Sequence, residues 1–391
     1  MDAYITAYKS QKRSIILLGG FMEGLSLRKT HLNEIHKKYG GKLVDFHGWE
    51  LPVQFEGIIK EHLTVRNGVG LFDVSHMGQI FVSGNDARRF LDWVNTNNVF
   101  KLKKGEGCYS HIPNERGGVV DDVINFCLDD DRFLVIVNAT TTEKDYNWFL
   151  KNSKNFNVKI ENKSNEYSMI AIQGPKSVEV MKKFFPEILK YQRFGIVEAD
   201  IMGKHCFVSR TGYTGEDGFE VTTPNEIIVD IWEKLMELGK SYDIKPCGLG
   251  ARDSLRLESG YLLYGNDIDD KNSSYEANYG WVVKLNKGDF IGKEYLEKQK
   301  KEGIKQKLTG IVMENGVPRQ GYKVFKKNVL LGTLTSATYS PSLKKSIGMG
   351  YMPPDLKIGD EVEVEIRGNK MKAKISEVPF YKGGVFFFKL S

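Results

Sequence analysis

Apolar and polar positions follow a pattern that repeats four times along the first two thirds of the chain. In each repeat, an apolar run typical of a strand leads through a polar or glycine-containing turn into an amphipathic run typical of a helix. Strands separated by single helices, with added hairpins, predict an α+β fold whose helices lie on one sheet face. The repeats cover Gln79–Trp93, Phe133–Leu150, Met169–Phe185 and Phe219–Leu238.

The last repeat contains the clearest predicted helix. Thr223 and Glu226 have the spacing of a capping box, and Pro224 between them suits the first helical position. A helix starting there would bury one continuous apolar face. That face would consist of Ile228, Ile231, Trp232, Leu235 and Leu238.

The character of the chain changes after a lysine-rich polar run between Glu294 and Lys307. Strict alternation in Glu361–Ile366, followed by Gly368 and Asn369, indicates a hairpin. Together with other short strands it predicts a small C-terminal β-barrel. These strands are Leu308–Met313, Lys323–Phe325, Gly332–Thr335, Ile347–Tyr351, Val362–Ile366 and Met371–Ile375.

The chain thus divides into an extension at 1–26, a large α+β region at 27–290, a charged linker at 291–306 and a barrel domain at 307–391. In the extension, the apolar run Ile15–Phe21 follows lysine and arginine residues. That run is far shorter than the roughly 20 residues a membrane helix needs, and no signal-peptide cleavage pattern follows it. We therefore expect no membrane association.

Charge and cysteine content narrow the class of protein further. The net charge of +6 comes from 56 basic and 50 acidic residues, too mild an excess to predict nucleic-acid binding. The four cysteines have no paired-ligand spacing, so neither a metal site nor a disulfide framework is indicated. A reducing compartment fits this pattern.

Two glycine-containing clusters carry the strongest candidate chemistry. In Ser209–Glu220, three glycines bring Tyr213, Glu220 and two further acids onto a tight bend. Glycine at such a bend lets the backbone approach a ligand closely. The second cluster, Gly248–Gly260, begins like a helix and supplies Arg252, a second arginine and two acids. We expect the two clusters to form one ligand pocket.

A third candidate lies in Gly117–Val123, where Asp121 and Asp122 follow a glycine turn and an apolar pair. Neighbouring strand residues face opposite sides, so one aspartate can point into a cleft while the other caps the turn or faces solvent. An acid in a cleft could bind an amine-rich heterocycle or handle a proton. The pattern alone leaves open which aspartate does so.

These blocks resemble the signature blocks of the aminomethyltransferase family, the T-proteins of the glycine cleavage system. The resemblance runs from about Leu27 to Tyr381 and includes Val44–Pro52, Asp73–Gly78 and Ser340–Leu343. It departs from the family pattern at His47 and in the N-terminal extension. The family implies a multi-lobed folate-binding region of repeated strand–helix units with antiparallel sheets, followed by the β-barrel.

The resemblance also implies a reaction. The chain would move the methylene of the aminomethyl group on lipoylated H-protein to tetrahydrofolate, releasing ammonia, in the cytoplasm or, in a eukaryote, the mitochondrial matrix. Tetrahydrofolate would be a co-substrate, with no metal and no nucleic acid or membrane as partner. The resemblance assigns catalysis to Asp122. The implied folate-binding residues are Met77, Tyr109, Asn138, Tyr213, Glu220, Arg252, Tyr261 and Trp281.

Other functions fit the sequence less well. A doubly wound nucleotide fold is disfavoured because no Gly-x-Gly-x-x-Gly turn joins a strand directly to a helix. The folate-binding assembly factors of the iron–sulfur type carry a Lys-Gly-Cys-Tyr-x-Gly-Gln-Glu block, which Gly107–Ser110 echoes only in part. The nearest rival enzyme is a stand-alone folate-dependent demethylase domain, like that of sarcosine or dimethylglycine dehydrogenases, but those enzymes carry a dinucleotide-binding flavin domain that this sequence does not show. A plain nucleotide- or RNA-binding module is a more distant alternative.

Overall fold

The computed structural model describes residues 26–384 and begins with a small three-stranded sheet. Its middle strand pairs in parallel with the first strand and antiparallel with the second. The elements are β1 (Arg28–Lys29), α1 (Asn33–Lys38), β2 (Lys42–Phe46), β3 (Trp49–Gln54) and α2 (Ile58–Asn67). The extension predicted at residues 1–26 lies outside the described residues, apart from Ser26.

The central part of the chain forms two larger sheets. Its first stretch contains β4 (Gly70–Asp73), β5 (Gly78–Ser83), α3 (Ala87–Val94), β6 (Gly107–Pro113), β7 (Val119–Asp129), β8 (Arg132–Val137), α4 (Thr142–Asn152) and β9 (Lys159–Asn162). The second stretch contains β10 (Tyr167–Gln173), α5 (Ser177–Phe184), β11 (Ile196–Ile201), β12 (Lys204–Ser209), β13 (Gly218–Pro224), α6 (Ile228–Leu238), β14 (Lys245–Pro246) and α7 (Leu249–Glu258).

These strands pair almost entirely antiparallel. One sheet has five strands in the order β6-β7-β8-β5-β9. The other has six strands in the order β11-β12-β13-β10-β4-β14, and only its edge pair β4–β14 is parallel. Apart from that pair, both sheets are built from antiparallel neighbours.

Alternating side chains show how the two sheets stack. In β8, Phe133 and Val135 pack in the same cluster as α3 and α4 residues, whereas Leu134 packs between the sheets. In β10, Ile170 packs with α5 and α6, whereas Met169 packs between the sheets. Each sheet thus has one face covered by helices and one face turned to the other sheet. The resulting layers confirm the predicted α+β fold with antiparallel sheets.

Each of the four predicted repeats contains a strand followed by a helix, but the start of the last helix was predicted wrongly. Pro224 is the last residue of β13, a short 3₁₀ turn follows at Asn225–Ile227, and α6 begins at Ile228. The Thr223 hydroxyl bonds the Pro224 carbonyl and Cys206 instead of capping the helix. The predicted apolar face is nevertheless present, with Trp232 fully buried.

After α8 (Lys293–Glu302), six strands close into a barrel in the order β15-β18-β17-β16-β19-β20. They are β15 (Lys307–Met313), β16 (Lys323–Lys326), β17 (Val329–Ser340), β18 (Lys345–Met352), β19 (Glu361–Ile366) and β20 (Asn369–Ser376). The last hairpin turns at Arg367 and Gly368, whose φ angles are 51° and 82°, so Asn369 already belongs to β20. The expected Gly-Asn turn therefore lies one residue earlier.

Helix α7 joins the central sheets to the barrel through buried charged groups. The Arg256 guanidinium lies 2.6 Å from Asp267 and donates to Ser336 on β17 at 2.8 Å. Glu258, also fully buried, accepts hydrogen bonds from Ser340 and Ser342 beside the same strand. This anchoring fixes the helix whose first turns carry Arg252.

Candidate active site

Strand pleating brings two acids into the space between the stacked sheets. In β7, Val123 packs toward the helices, so its neighbour Asp122 faces the opposite sheet. In β13, Phe219 and Val221 pack toward α5 and α6, so Glu220 between them also faces inward. Both carboxyl groups line a single central cavity.

Eight of the nine predicted site residues line this cavity, although their functional roles stay predictions. They come from β6, β7, β13, α7 and the segments that follow β4, β8, β12 and α7. Trp281 does not line it but stacks behind Tyr109, with ring centroids 6.0 Å apart. The lining residues are Met77, Tyr109, Asp122, Asn138, Tyr213, Glu220, Arg252 and Tyr261.

Two side chains hold the Asp122 carboxyl in place. The Tyr109 hydroxyl donates to Oδ2 at 2.8 Å, and Asn138 Nδ2 donates to Oδ1 at 2.8 Å. Burial raises the pKa of Asp122, and the neighbouring charge of Asp121 raises it further. The hydrogen bonds from Tyr109 and Asn138 lower it, leaving a pKa of about 7. Such a group can accept or release a proton near neutral pH.

A short chain of hydrogen bonds orients Tyr109. His111 Nε2 lies 3.2 Å from the Tyr109 hydroxyl, and His111 Nδ1 lies 2.8 Å from Ser274 Oγ. Burial lowers the pKa of His111 to about 3, so the ring is neutral. A neutral ring with its proton on Nε2 donates to Tyr109 and leaves the tyrosine hydroxyl free to donate to Asp122.

Asp121 turns away from the cavity, as expected for the neighbour of Asp122 on a strand. It is fully buried and accepts hydrogen bonds from the Asn138 backbone at 3.1 Å, Asn138 Nδ2 at 2.9 Å and Thr141 Oγ1 at 2.8 Å. Asn138 therefore bridges the two aspartates. The cavity-facing acid is the one that the sequence resemblance assigns to catalysis.

The opposite wall combines an acid, an arginine and aromatic rings. Glu220 accepts a hydrogen bond from Thr211, and burial raises its pKa, partly offset by that bond and by the charge of Arg252. The Arg252 guanidinium lies over the Tyr213 ring, 4.4 Å from its centroid. The Tyr213 ring stacks on Tyr261 at 5.7 Å, and its hydroxyl donates to the Leu262 carbonyl. This wall offers flat stacking surfaces beside a polar edge.

Sequence reasoning missed several residues of the cavity wall. Tyr279 lines it with its hydroxyl bonded to the Gly260 carbonyl at 3.0 Å, and Met169 lines it from β10. Arg193 and Phe194 also contribute, from an irregular segment without a sequence motif. For Met169, the alternation of β10 was an available signal, because it places this side chain between the sheets.

A larger groove of about 1130 Å³ lies elsewhere, between α2 and the barrel. Its lining is mainly apolar and includes Ile59, Leu63, Val317 and Tyr339. The charged side chains Glu56 and Lys60 at this groove pair with each other. Because convergent acids and perturbed pKa values occur in the central cavity instead, we take the central cavity as the candidate site.

Further features bear on cofactors and location. Within residues 26–384, no group of three or more His, Cys, Asp or Glu side chains is placed to hold a metal ion. Cys108, Cys127, Cys206 and Cys247 are free thiols. Among the helices of this part of the chain, none is long and apolar enough to cross a membrane.

Comparison with protein families gives two matches that follow one another along the chain. Residues 32–287 match the model of the GCVT N-terminal domain. Residues 306–382 match the glycine cleavage T-protein C-terminal barrel domain. The second match coincides with the closed barrel described above.

Curated relatives and a solved structure agree with the family match. The aminomethyltransferase of Thermoanaerobacter sp. (strain X514) is 47% identical over 361 residues, covering 91% of this chain and 98% of that protein. The aminomethyltransferase of Caldanaerobacter subterraneus subsp. tengcongensis is 48% identical, covering 91% of this chain and 96% of its own length.

The crystal structure of the glycine cleavage system aminomethyltransferase T from Bartonella henselae matches with a TM-score of 0.87 and 33% identity. That match covers 93% of this chain and all of the other. Sequence blocks, layered sheets, barrel and relatives all lead to the same assignment. The chain belongs to the T-protein family, the folate-dependent aminomethyltransferases of the glycine cleavage system.

Proposed function

We propose that this chain transfers the methylene of an aminomethyl group from the lipoyl arm of H-protein to tetrahydrofolate. The products would be 5,10-methylenetetrahydrofolate, ammonia and dihydrolipoyl H-protein. One observation carries the proposal: Asp122, with a pKa of about 7, faces a cavity walled by aromatic rings and a second acid. The comparisons do not favour an assembly factor or a demethylase. Because the relatives are bacterial proteins, we place the reaction in the cytoplasm.

The cavity suits a flat reduced pterin. Tyr213 and Tyr261 offer stacked rings, and Met77 and Met169 offer apolar contacts. In the proposed complex, Glu220 accepts hydrogen bonds from the N–H groups at the pterin edge. Arg252 orders the Tyr213 ring or pairs with the carboxylate tail of the folate, since guanidinium groups bind carboxylates well.

In the proposed reaction, a pterin nitrogen attacks the carbon that carries both the amine and the sulfur. The carbon–nitrogen bond breaks and ammonia leaves. The second folate nitrogen then displaces the sulfur, which takes up a proton and becomes a thiol. The two protons lost by the folate nitrogens end on ammonia and on the lipoyl sulfur, so no oxidant or reductant is consumed.

Asp122 has two proposed tasks in these steps. As a carboxylate it stabilises the positive charge that develops on the attacking nitrogen, and it can accept the proton which that nitrogen loses. Tyr109 and Asn138 hold its two oxygens, so the carboxylate does not have to reorient during the reaction.

A direct assay tests the proposal. The chain is mixed with aminomethylated H-protein and tetrahydrofolate, and ammonia, methylenetetrahydrofolate and the increase in free lipoyl thiol are measured together. We expect the three products in equal amounts, and none beyond the uncatalysed level when the chain is omitted. Binding of folate without product formation would contradict the proposal.

A further inference from the structure

A second buried acid lies behind the candidate site. Asp145, on α4, has no exposed surface and sits on the helix-covered side of β7, the side to which Asp121 turns. Among the described residues, neither of its carboxyl oxygens accepts a hydrogen bond of ordinary geometry. The nearby Thr141 hydroxyl lowers the pKa of Asp145 but donates to Asp121 at 2.8 Å. An ionised carboxylate in such a place would lose its hydration without compensation.

Asp145 lies one helical turn after Thr141, whose hydroxyl donates to Asp121, and Asp121 is the acid that acts most strongly on the pKa of Asp145. Asp121 already accepts three hydrogen bonds from Asn138 and Thr141, so it is the better holder of a negative charge. Burial, together with the charge of Asp121, raises the pKa of Asp145 well above its usual value. A proton on Asp145 would let its O–H donate to the Asp121 carboxylate.

The other titratable groups around this pair do not replace that proton. The Lys144 ammonium donates to the Val120 carbonyl and to the Tyr264 hydroxyl, both at 2.5 Å, and lies 3.5 Å from Asp270. It lowers the pKa of Asp145 only as a secondary effect. Tyr264 stays un-ionised because burial raises its pKa far above the physiological range.

A continuous set of contacts links this pair to the cavity. Asn138 Nδ2 lies 2.9 Å from Asp121 Oδ1 and 2.8 Å from Asp122 Oδ1. The position of Asn138 therefore depends on Asp121, and the position of Asp121 depends on the donors around it. A protonated Asp145 would add a donor from α4.

We propose that Asp145 is a positioning residue for the reaction: its un-ionised carboxyl donates to Asp121, which through Asn138 holds and tunes the Asp122 carboxylate. The inference rests on the function proposed above for Asp122. It differs from that function in assigning a role to a residue that touches neither the cavity nor a substrate.

Two variants of similar size at position 145 show whether Asp145 acts as a neutral hydrogen-bond donor or as an ionised carboxylate. Asp145→Asn keeps a donor toward Asp121, so we expect kcat within about twofold of the unmodified chain. Asp145→Leu removes the donor, and we expect kcat to fall on the order of tenfold. We also expect the acidic limb of its pH profile to move to higher pH, because a displaced Asn138 would weaken the hydrogen bond that lowers the pKa of Asp122.

The two variants can also contradict the inference. Equal losses in Asp145→Asn and Asp145→Leu would mean that the charge of Asp145, not its proton, is what matters. A folded Asp145→Leu variant with unchanged kcat and pH profile would remove the positioning role. Folding is checked by thermal unfolding and by folate binding, so a misfolded variant is recognised as such.

The pH dependence of stability gives a readout that needs no turnover, and it also covers the case in which Asp145→Leu does not fold. Because the folded protein retains a proton on Asp145 that the unfolded chain releases near pH 4, rising pH should destabilise the unmodified chain relative to Asp145→Asn. The unfolding constant of the unmodified chain, divided by that of Asp145→Asn, should rise by up to about tenfold per pH unit above about pH 4.

A flat ratio between pH 4 and 8 would show that Asp145 is ionised in the folded protein, and the inference would fail whatever the activity. If the ratio changes as expected but no turnover is found with the unmodified chain, the proposed function fails while the protonated acid stands. The two failures are thus distinguishable.

Discussion

Removing the Tyr109 hydroxyl should change the pH at which the enzyme becomes active. This hydroxyl donates to Asp122 Oδ2 at 2.8 Å and is one of two hydrogen bonds that hold down the pKa of Asp122, which is about 7. A hydrogen bond to a charged group contributes about 1.5–3 kcal/mol to the charged form. At about 1.4 kcal/mol per pKa unit, Tyr109→Phe should raise the pKa of Asp122 by about one to two units.

The sign follows from the role proposed for Asp122. Because the carboxylate is the active form, activity rises as Asp122 loses its proton. The pH at half-maximal kcat/KM for folate reports the enzyme before folate binds. It should therefore lie near pH 7 in the unmodified chain and about one to two units higher, near pH 8–9, in Tyr109→Phe. Rates are measured from pH 5.5 to 9.5 with saturating aminomethylated H-protein.

A matched control is available in the same cavity. Tyr279→Phe removes a hydroxyl that donates to the Gly260 carbonyl and has no bond to Asp122. We expect the pH at half-maximal kcat/KM for folate to be the same in Tyr279→Phe as in the unmodified chain. If Tyr109→Phe leaves the profile in place, or moves it to lower pH, the reasoning about the Asp122 carboxylate is refuted.

Three stability predictions follow from other contacts. Burial alone would raise the pKa of Asp73, but His36, Ser75 and Thr30 lower it to about 2. The stability that the Asp73 carboxylate contributes above about pH 4 should therefore be lost as the pH falls toward about 2. In urea unfolding, the stability of Asp73→Asn should depend less on acid pH than that of the unmodified chain. Glu258→Ala should cost about 3–5 kcal/mol in denaturant unfolding, because it removes the buried carboxylate that pairs with Arg66 Nη2 and accepts hydrogen bonds from Ser340 and Ser342; a loss below 1 kcal/mol would contradict this. Gly118→Ala should lower the melting temperature, because its new Cβ would lie 1.9 Å from the Asp270 carbonyl; an unchanged value would count against this packing.

Periodicity predicted the layers of this fold well, because each sheet is buried on both faces by apolar side chains of alternating direction. Six barrel strands and four strand–helix repeats could be read in this way. The start of α6 could not be predicted from the sequence, because residues that suited a capping box form a 3₁₀ turn instead. The last barrel hairpin was misplaced by one residue, because Arg367 adopts a positive φ that its residue type does not indicate.

Only part of the candidate site could be predicted from the sequence. The alternation of β7 predicted that one of two aspartates faces a cleft, and the resemblance selected Asp122. Tyr279 and Asp145 could not be found, because their roles depend on long-range packing: Tyr279 on the fold of an irregular segment, Asp145 on the contact between α4 and β7. The division of the chain at residues 291–306 and the roles of the individual site residues stay predictions.

The role of Asp122 is tested most directly by comparing the unmodified chain with Asp122→Asn at equal folate occupancy, using aminomethylated H-protein and measuring ammonia and methylenetetrahydrofolate. We predict that the variant binds folate but loses about 10²–10⁴-fold in turnover, the usual contribution of a group that transfers a proton. Turnover by the variant at the unmodified rate would contradict the role of this carboxylate. Folate binding without any turnover by the unmodified chain would contradict the proposed reaction itself.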